Sequence, residues 1–367
     1  MRGSVFETSR ERLAKHALTL KKAWLLSCAW LGKRLDSESL TIYDYQRWPK
    51  RRLVQHVKDL EDDFADQVRW TLRQPDKKIW KQLASWMSTQ FDRWQEAGGS
   101  LLTICTAHEF ESQFGELRVQ EHIEVPPYAE LLIQGWYGLA IRHPEYMLAR
   151  DLAFLYSLFQ ESEKLLQQAN WQNPQDWTKR GSENAQALAR AVIQTCFNLL
   201  ESFVSGLARG HVMTNGHLDE GVRTKLLDNS KPLRNRVLSI PLLISGKDCG
   251  LNQHRPPLST LFGGVKQRRD AFVHCEPGPQ SSSHGYVKEA AFHDVSPAVV
   301  EAAVQSTEQL IRQIWQGVFE QDGPCWLLHL AEPEAARTGF RLRPVVEEPT
   351  TEGGSASNKR SQPTASA

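Results

Sequence analysis

The 367-residue sequence carries almost no net charge, because 44 lysines and arginines oppose 43 acidic residues and leave a formal charge of +1. It therefore lacks the overall basic character that is typical of high-affinity, nonspecific nucleic-acid binders, although this does not exclude a local basic patch. None of its six cysteines forms a Cys-x-x-Cys pair, which argues against a zinc knuckle and against a dithiol redox motif. Scattered free thiols favour a reducing compartment.

The sequence also lacks the features of export, metal binding and several common enzyme classes. The apolar run Ala23 to Leu31 is far shorter than the ~20 residues that a membrane span needs. We find no internal repeat, no Gly-rich phosphate loop and no Ser nucleophile elbow. Five histidines follow no metal-ligand spacing: His211, His217, His254, His284 and His293. We therefore expect a cytoplasmic protein without a membrane span, a metal or a cofactor.

Helical periodicity is the dominant pattern that is present. Apolar residues recur at spacings of three and four along most of the chain, which predicts a mainly α fold. The pattern predicts helices over these residues: 9–35, 50–73, 75–97, 147–169, 194–208 and 296–319. Four tryptophans could stack on bases, but tryptophans at helical spacing more often pack in a core: Trp70, Trp80, Trp86 and Trp94.

One region departs from the helical pattern. Apolar residues nearly alternate between Leu117 and Val125, as they do in a strand. Pro126-Pro127 interrupts this alternation, and Tyr128 to Ile133 fits either a partner strand or the start of a helix. The sequence therefore predicts a small β insertion near residues 101–134.

Composition divides the chain into three parts. The polar stretch from Trp171 to Gly181 predicts a boundary between a helical N-terminal domain, residues 1–172, and a second helical domain, residues 180–325. Residues 333–367 are rich in Pro, Glu, Thr, Ser and Gly, which predicts a disordered tail. Residues 209–257 predict a long irregular connection with short helices. We expect its basic side chains to be solvated: Arg223, Lys225, Lys231, Arg234 and Arg236.

The most informative segment places Arg269, Asp270 and His274 shortly before the helix-breaking pair Pro277-Gly278. Arginine binds phosphate through a planar fork of donors, and histidine transfers protons near neutral pH. The acid lies four residues before the histidine, so on a helix it could orient the imidazole or raise its pKa. The pattern favours chemistry on a phosphodiester. The structural alternative is that basic residues simply favour the C-terminal end of a helix.

Helical geometry constrains how these side chains share one site. On an ideal helix over residues 258–274, Arg269 falls on the apolar face, whereas His274 lies about 140° away around the axis. A charged residue on an apolar face is unusual unless it is paired or functional. Both side chains serve one site only if the helix ends before His274, or if a second copy of the chain completes the site.

The segment resembles the signature of the HEPN family (higher eukaryotes and prokaryotes nucleotide-binding), which is Arg, then Asn, Asp or His, then a few residues and His. Arg269, Asp270 and His274 match this signature. The apolar helix over residues 194–208, with the internal acid Glu201, looks like the family's upstream helix. The apolar helix over residues 296–319 looks like its downstream one. The resemblance covers roughly residues 180–322, under half of the chain.

The resemblance implies a helical bundle that forms a homodimer and brings two motifs into one cleft. It implies a metal-independent endoribonuclease, toxin-like or active in antiviral defence, with an RNA substrate and a regulatory partner protein. Arg269 would then bind the scissile phosphate, Asp270 would be the polar partner, and His274 would act as general base or general acid. We expect weaker substrate contacts from Lys266 and Arg268, which cluster beside the motif.

Two predictions have alternatives: the role of the upstream acid, Glu201, and the function of the whole protein. Glu201 matches the family's internal acid and so would also contact substrate. On an ideal helix, however, it lies opposite the apolar stripe that contains Cys196 and Phe203, where it could be merely solvated. Inactive family members act as noncatalytic RNA-binding or dimerisation modules in larger complexes, and a purely structural helical scaffold is a third possibility.

Overall fold

A computed structural model describes residues 8–73, 78–99, 101–118, 125–168, 176–273 and 295–327 of the chain. Within these residues, ten α-helices accompany one small three-stranded sheet. The prediction of a mainly α fold with a small β insertion is therefore confirmed. The predicted tail, residues 333–367, lies outside the described residues, and so does His274.

Three helices build the first hydrophobic core. Thr8 begins the first of them with a capping box, because its hydroxyl accepts the Glu11 amide while the Glu11 carboxylate accepts the Thr8 amide. Their apolar faces bury large side chains such as Phe64 and Met87 completely. All three helices lie within the predicted ranges, although α1 ends at Trp30 rather than at residue 35: α1 (Ser9–Trp30), α2 (Lys50–Thr71) and α3 (Ile79–Glu96).

The tryptophans of this region pack in the first core, as the more common of their two roles predicts. Trp94 is buried, while Trp70, Trp80 and Trp86 are partly buried against the same cluster. The Trp86 ring centroid lies 5.7 Å from that of Phe110 in an edge-on arrangement. Aromatic pairs of this kind contribute to core stability beyond the area they bury.

The sheet is antiparallel with the strand order β1 (Leu101–Thr106), β2 (Glu130–Gln134) and β3 (Leu139–Arg142). Helix α4 (Ala107–Phe114) follows β1 directly and starts with a capping box at Thr106. The segment from Tyr128 to Ile133 therefore contributes a strand rather than a helix. At the start of the predicted alternating strand, Leu117 forms an isolated bridge with Leu72, and residues 119–124 lie outside the described residues.

A 39-residue helix, α6 (Asp176–Thr214), is central to the second hydrophobic core. Other helices of this core pack against it, including α5 (Pro144–Gln168), α8 (Leu233–Ser245) and α10 (Pro297–Phe319). The first core ends with β3, and α5 already belongs to the second. The predicted boundary around residues 171–181 lies partly outside the described residues, so the domain limits stay a prediction.

Within α6, the segment Gly181–Thr214 is long and apolar enough to cross a membrane by length and composition. The fold nevertheless buries 56% of its most apolar window against other elements. A core helix that is mostly buried inside the fold passes the same test of length and composition as a membrane span. The packing of α6 is that of a core helix.

The segment predicted as a long irregular connection is largely helical. Helix α6 extends into it as far as Thr214, and α7 (Glu220–Leu227) and α8 follow. Asp219 starts α7 by accepting two backbone amides, and Pro232 precedes α8 with extended backbone. Arg236, expected in solvent, is instead only 3% exposed. The prediction that Arg236 is solvated was wrong. The apolar face of a short helix is difficult to recognise in a sequence segment that is rich in polar residues.

Candidate functional site

The motif segment begins with a π-helix. Residues Thr260–Val265 adopt this wider turn and lead directly into α9 (Lys266–Val273), so the predicted uniform helix over residues 258–274 is wrong in its first half. Leu261 and Val265 remain buried while Gly263 and Gly264 face solvent. π-Turns are rare and occur frequently at functional sites, because they change which side chains a helix presents.

Arg269 lies against the second core, although the π turn before it means that the uniform helix used to place it on the apolar face does not hold there. Its side chain is 22% exposed, and its guanidinium carbon lies 4.8 Å above the ring of Phe197 on α6. A cation over an aromatic face is stabilised by the ring quadrupole. The Arg269 Nε–H is buried and has no hydrogen-bond partner among the described residues. The guanidinium is therefore held in place while part of its donor capacity stays unused.

Asp270 is already surrounded by cations. Lys266 Nζ hydrogen-bonds its Oδ2, and Arg269 Nη2 lies 2.9 Å from its Oδ1. The contact with Arg269 is close enough for an ion pair, but Oδ1 is not in hydrogen-bond geometry with any described donor. We expected Asp270 to orient His274, which lies outside the described residues. The arrangement shows that any such contact competes with two cations.

The basic cluster beside the motif occupies a single stretch of α9. Arg268 Nη1 donates to the carbonyl of Gly264 at 3.2 Å, one turn earlier in the π segment. Lys266 and Arg268 are both partly exposed, as is Arg269. The structure therefore places three cationic side chains and one carboxylate within five consecutive residues. The net positive charge of this surface suits an anionic ligand.

Glu201 has a structural partner that the sequence did not reveal. Its side chain is 55% exposed, yet Oε1 lies 3.3 Å from Nη1 of the buried Arg236. Arg236 Nη2 also donates to Ser205 Oγ at 2.8 Å and contacts the Glu201 carbonyl at 3.5 Å. The interpretation of Glu201 as merely solvated is therefore incomplete, since the acid connects α6 to α8.

A sequence signal for Arg236 existed. Leu233 and Ile240 lie three residues before it and four residues after it, so all three share one face of a helix. An arginine on such a face is unusual unless it is paired. The signal becomes visible only when α8 is recognised as a helix.

Arg269 and Arg236 contact the same side of α6. Arg269 lies over Phe197, and Arg236 pairs with Glu201 four residues later. These two positions are about 6 Å apart along the helix axis, because an α-helix rises 1.5 Å per residue. The partly exposed Arg269 is thus available to a ligand, whereas the buried Arg236 neutralises the nearest acid along α6.

Among the described residues, neither an ionised thiol nor a metal cluster lies at this site. Burial raises the pKa of Cys196 to about 12, so its thiol is neutral and behaves as a small apolar side chain. In the described part of the chain, no three His, Cys, Asp or Glu side chains cluster in a way that would hold a metal ion.

No protein-family model, curated protein or solved structure matches this chain. The resemblance to the HEPN signature therefore depends on the residues themselves, namely Arg269, Asp270 and His274.

Proposed function

We propose that the chain is a metal-independent endoribonuclease whose second domain is HEPN-like. One observation carries the proposal: Arg269 is fixed over Phe197 while its side chain stays 22% exposed. A positioned guanidinium with unused donors stabilises the charge that develops on a phosphoryl group. The adjoining π-helix, Thr260–Val265, supports the assignment because such turns recur at functional sites.

The proposed reaction uses the RNA's own 2′-hydroxyl as nucleophile. The 2′-oxygen attacks the adjacent phosphorus, the bond from phosphorus to the 5′-oxygen breaks, and a 2′,3′-cyclic phosphate and a 5′-hydroxyl form. His274 takes the proton from the 2′-hydroxyl or donates one to the leaving 5′-oxygen, and water makes the other transfer, so that one proton is removed and one is supplied in each reaction. Arg269 donates hydrogen bonds to the nonbridging oxygens, whose negative charge grows in the transition state. Lys266 and Arg268 add positive charge along the bound strand.

A noncatalytic RNA-binding or dimerisation module is the second candidate, and two contacts favour it. Lys266 and Arg269 already neutralise Asp270. Glu201 is engaged in the ion pair with Arg236. Neither acid is therefore poised as a general base in the described residues, and all proton transfer would depend on His274.

We extend the proposal to the setting of the enzyme. A homodimer across the second domain would bring two copies of the Arg269 segment into one cleft. A regulatory partner protein would restrain a cytoplasmic nuclease of this kind, in a toxin-like or antiviral role. The near-neutral overall charge gives little general attraction for RNA, and this favours the noncatalytic alternative.

The test is RNA cleavage by full-length protein in EDTA, with purified tRNA and total cellular RNA as substrates. Four proteins are compared: wild type, Arg269→Ala, His274→Ala and Arg51→Ala. Arg51 is an exposed arginine on α2 and serves as the matched control for loss of one positive charge. A parallel substrate carries 2′-deoxy nucleotides, which lack the proposed nucleophile.

We expect wild type and Arg51→Ala to produce the same discrete fragments, which end in 2′,3′-cyclic phosphates. Arg269→Ala and His274→Ala should lose at least about a hundredfold in rate, the usual effect of removing a general acid or base or a charge-stabilising donor. Cleavage of the 2′-deoxy substrate would overturn the mechanism. RNA binding by wild type without any cleavage would establish the noncatalytic alternative instead.

A further inference from the structure

A cavity of about 290 Å³ lies where the loop before β2 meets α6 and α10. Pro126, Pro127 and Tyr128 form one wall, and side chains of α6 and α10 form the others. The volume is close to the lower limit of small-molecule pockets in proteins. None of the lining residues belongs to the motif around Arg269, so the cavity is independent of the proposed nuclease site.

A buried carboxylate faces this cavity. The Glu145 side chain, from the first turn of α5, is only 2% exposed. It accepts hydrogen bonds from the hydroxyls of Tyr128 and Ser202, the latter at 3.4 Å. Burial, followed by the neighbouring Glu145 charge, raises the pKa of Tyr128, so the phenol stays protonated and remains a donor. Two hydroxyls and the His143 ring, whose Nδ1 lies 3.0 Å from Oε2, thus orient the carboxylate.

Gly206 on α6 makes room for this arrangement. A Cβ at this position would overlap both the Glu145 Oε1 atom and the Tyr128 hydroxyl oxygen. Gly210, one turn later, lets Pro127 and Tyr128 approach the helix closely, since a Cβ there would already touch them at 3.5 Å. The two glycines allow the acid and the phenol to lie directly against the backbone of α6.

Aromatic rings form the opposite side of the cavity. The ring centroid of Phe203 lies 6.2 Å from that of Trp315 and 5.9 Å from that of Trp326. Phe319 packs on Trp315 at 4.3 Å and is 45% exposed, which places it at the mouth of the cavity. Aromatic faces carry negative potential and attract cations, most strongly where water is excluded.

The described lining contains no lysine or arginine to balance the Glu145 charge. His143 Nδ1 lies 3.0 Å from Glu145 Oε2 but contributes positive charge only when protonated. Burial lowers the pKa of His211, the other histidine involved, so its ring is neutral at pH 7. Arg209 acts electrostatically on Tyr128, but it is exposed and does not line the cavity. A buried carboxylate without a permanent counter-charge favours a cationic ligand.

We infer that this cavity binds a small organic cation, a primary ammonium attached to an apolar or aromatic group. The ammonium would pair with Glu145, and the apolar part would pack among Phe203, Trp315 and Trp326. An anionic ligand is disfavoured by the same carboxylate, and a neutral ligand would leave it without a counter-charge.

The test is calorimetric binding of matched probes to the full-length protein at neutral pH. The cation is 2-phenylethylamine, the neutral isostere is 2-phenylethanol, and the anion is phenylacetate. Glu145→Gln removes the charge while it keeps a similar shape. Phe319→Ala removes one aromatic wall, and Phe154→Ala, which alters a similarly exposed phenylalanine on α5, is the matched control. Circular dichroism establishes that each variant is folded.

We expect wild type to bind 2-phenylethylamine at least about tenfold more tightly than the alcohol, and to reject phenylacetate. Glu145→Gln should abolish the preference for the cation and leave the alcohol unaffected. Phe319→Ala should weaken the amine about threefold, whereas Phe154→Ala should not. Equal affinity for amine and alcohol, or no binding of either, would overturn the inference. Tighter binding of Nα-acetyllysine methylamide would identify a protein lysine side chain as the ligand instead of a free amine.

Discussion

The ion pair between Glu201 and Arg236 should show a marked asymmetry when its two members are removed one at a time. The side chain of Glu201 is 55% exposed, while the side chain of Arg236 is only 4% exposed. Loss of Glu201 leaves the buried Arg236 guanidinium without an anionic partner, whereas loss of Arg236 leaves a carboxylate that water can solvate. We therefore expect Glu201→Ala to be far more destabilising than Arg236→Met, although the first change affects the more exposed residue.

The magnitudes follow from the contacts. After Glu201→Ala, the Arg236 guanidinium keeps only neutral partners, Ser205 Oγ and a backbone carbonyl. Its Nε has no hydrogen-bond partner among the described residues even in wild type. Removing one partner of a fully buried pair costs about 3–5 kcal/mol, and because Glu201 is half exposed we expect a loss near the lower limit, about 3 kcal/mol. Arg236→Met fills a similar volume without a charge, so we expect a loss of about 1 kcal/mol or less.

The assay is urea-induced unfolding of wild type, both single variants and the double variant, with the dependence on urea checked for constancy. In the Arg236→Met background, the further change Glu201→Ala should lower the free energy of unfolding by less than about 0.5 kcal/mol. The reason is that no buried cation then remains to lose its partner. A larger loss for Arg236→Met than for Glu201→Ala would refute the reasoning. Full RNA cleavage by the folded double variant would show that Glu201 has no part in catalysis.

Three further outcomes are expected. Gly206→Ala should lower the free energy of unfolding by about 1–3 kcal/mol in urea titrations, because its Cβ overlaps Glu145 and Tyr128; an unchanged value would contradict the described packing. Burial raises the pKa of Cys196 from 9.0 to about 12, so the stability contributed by its neutral thiol is complete below pH 9 and is lost as pH rises towards 12. Unfolding titrations below and above pH 9 should therefore show a smaller alkaline loss for Cys196→Ala than for wild type. Thr106→Ala should cost about 1 kcal/mol in thermal unfolding by removing the cap of α4, and Thr106→Ser should restore it.

Long periodic elements were predictable from the sequence. The apolar spacing places α2 and α3 to within a few residues, and Gly98 and Gly99 adopt the positive φ angles that end a helix. These elements are predictable because each buries one regular face, and the spacing of that face is set by the backbone alone. The core role of Trp94 follows from the same periodicity.

Short elements were harder to predict because their signals depend on contacts far along the chain. Strand β1 has only six residues, and its pairing with β2 crosses more than twenty intervening residues. Helix α8 lies in a segment whose polar composition suggests a loop, yet Arg236 and Ile240 are buried. Whether an arginine is solvated or buried depends on its partner, and Glu201 lies 35 residues earlier.

Because of the π-helix, ideal helical geometry could not predict which face each side chain of the candidate site occupies. A uniform helix over residues 258–274 assigns faces by adding a constant angle per residue, but the wider turn at Thr260–Val265 shifts every later side chain relative to the earlier ones. The position of Arg269 against the core therefore cannot follow from its spacing to Leu261 or Val265 alone. Its contact with Phe197 fixes it instead. Arg269 comes after the π turn, whereas His274 lies outside the described residues. The expectation that the helix ends before His274, or that a second copy completes the site, therefore stays a prediction.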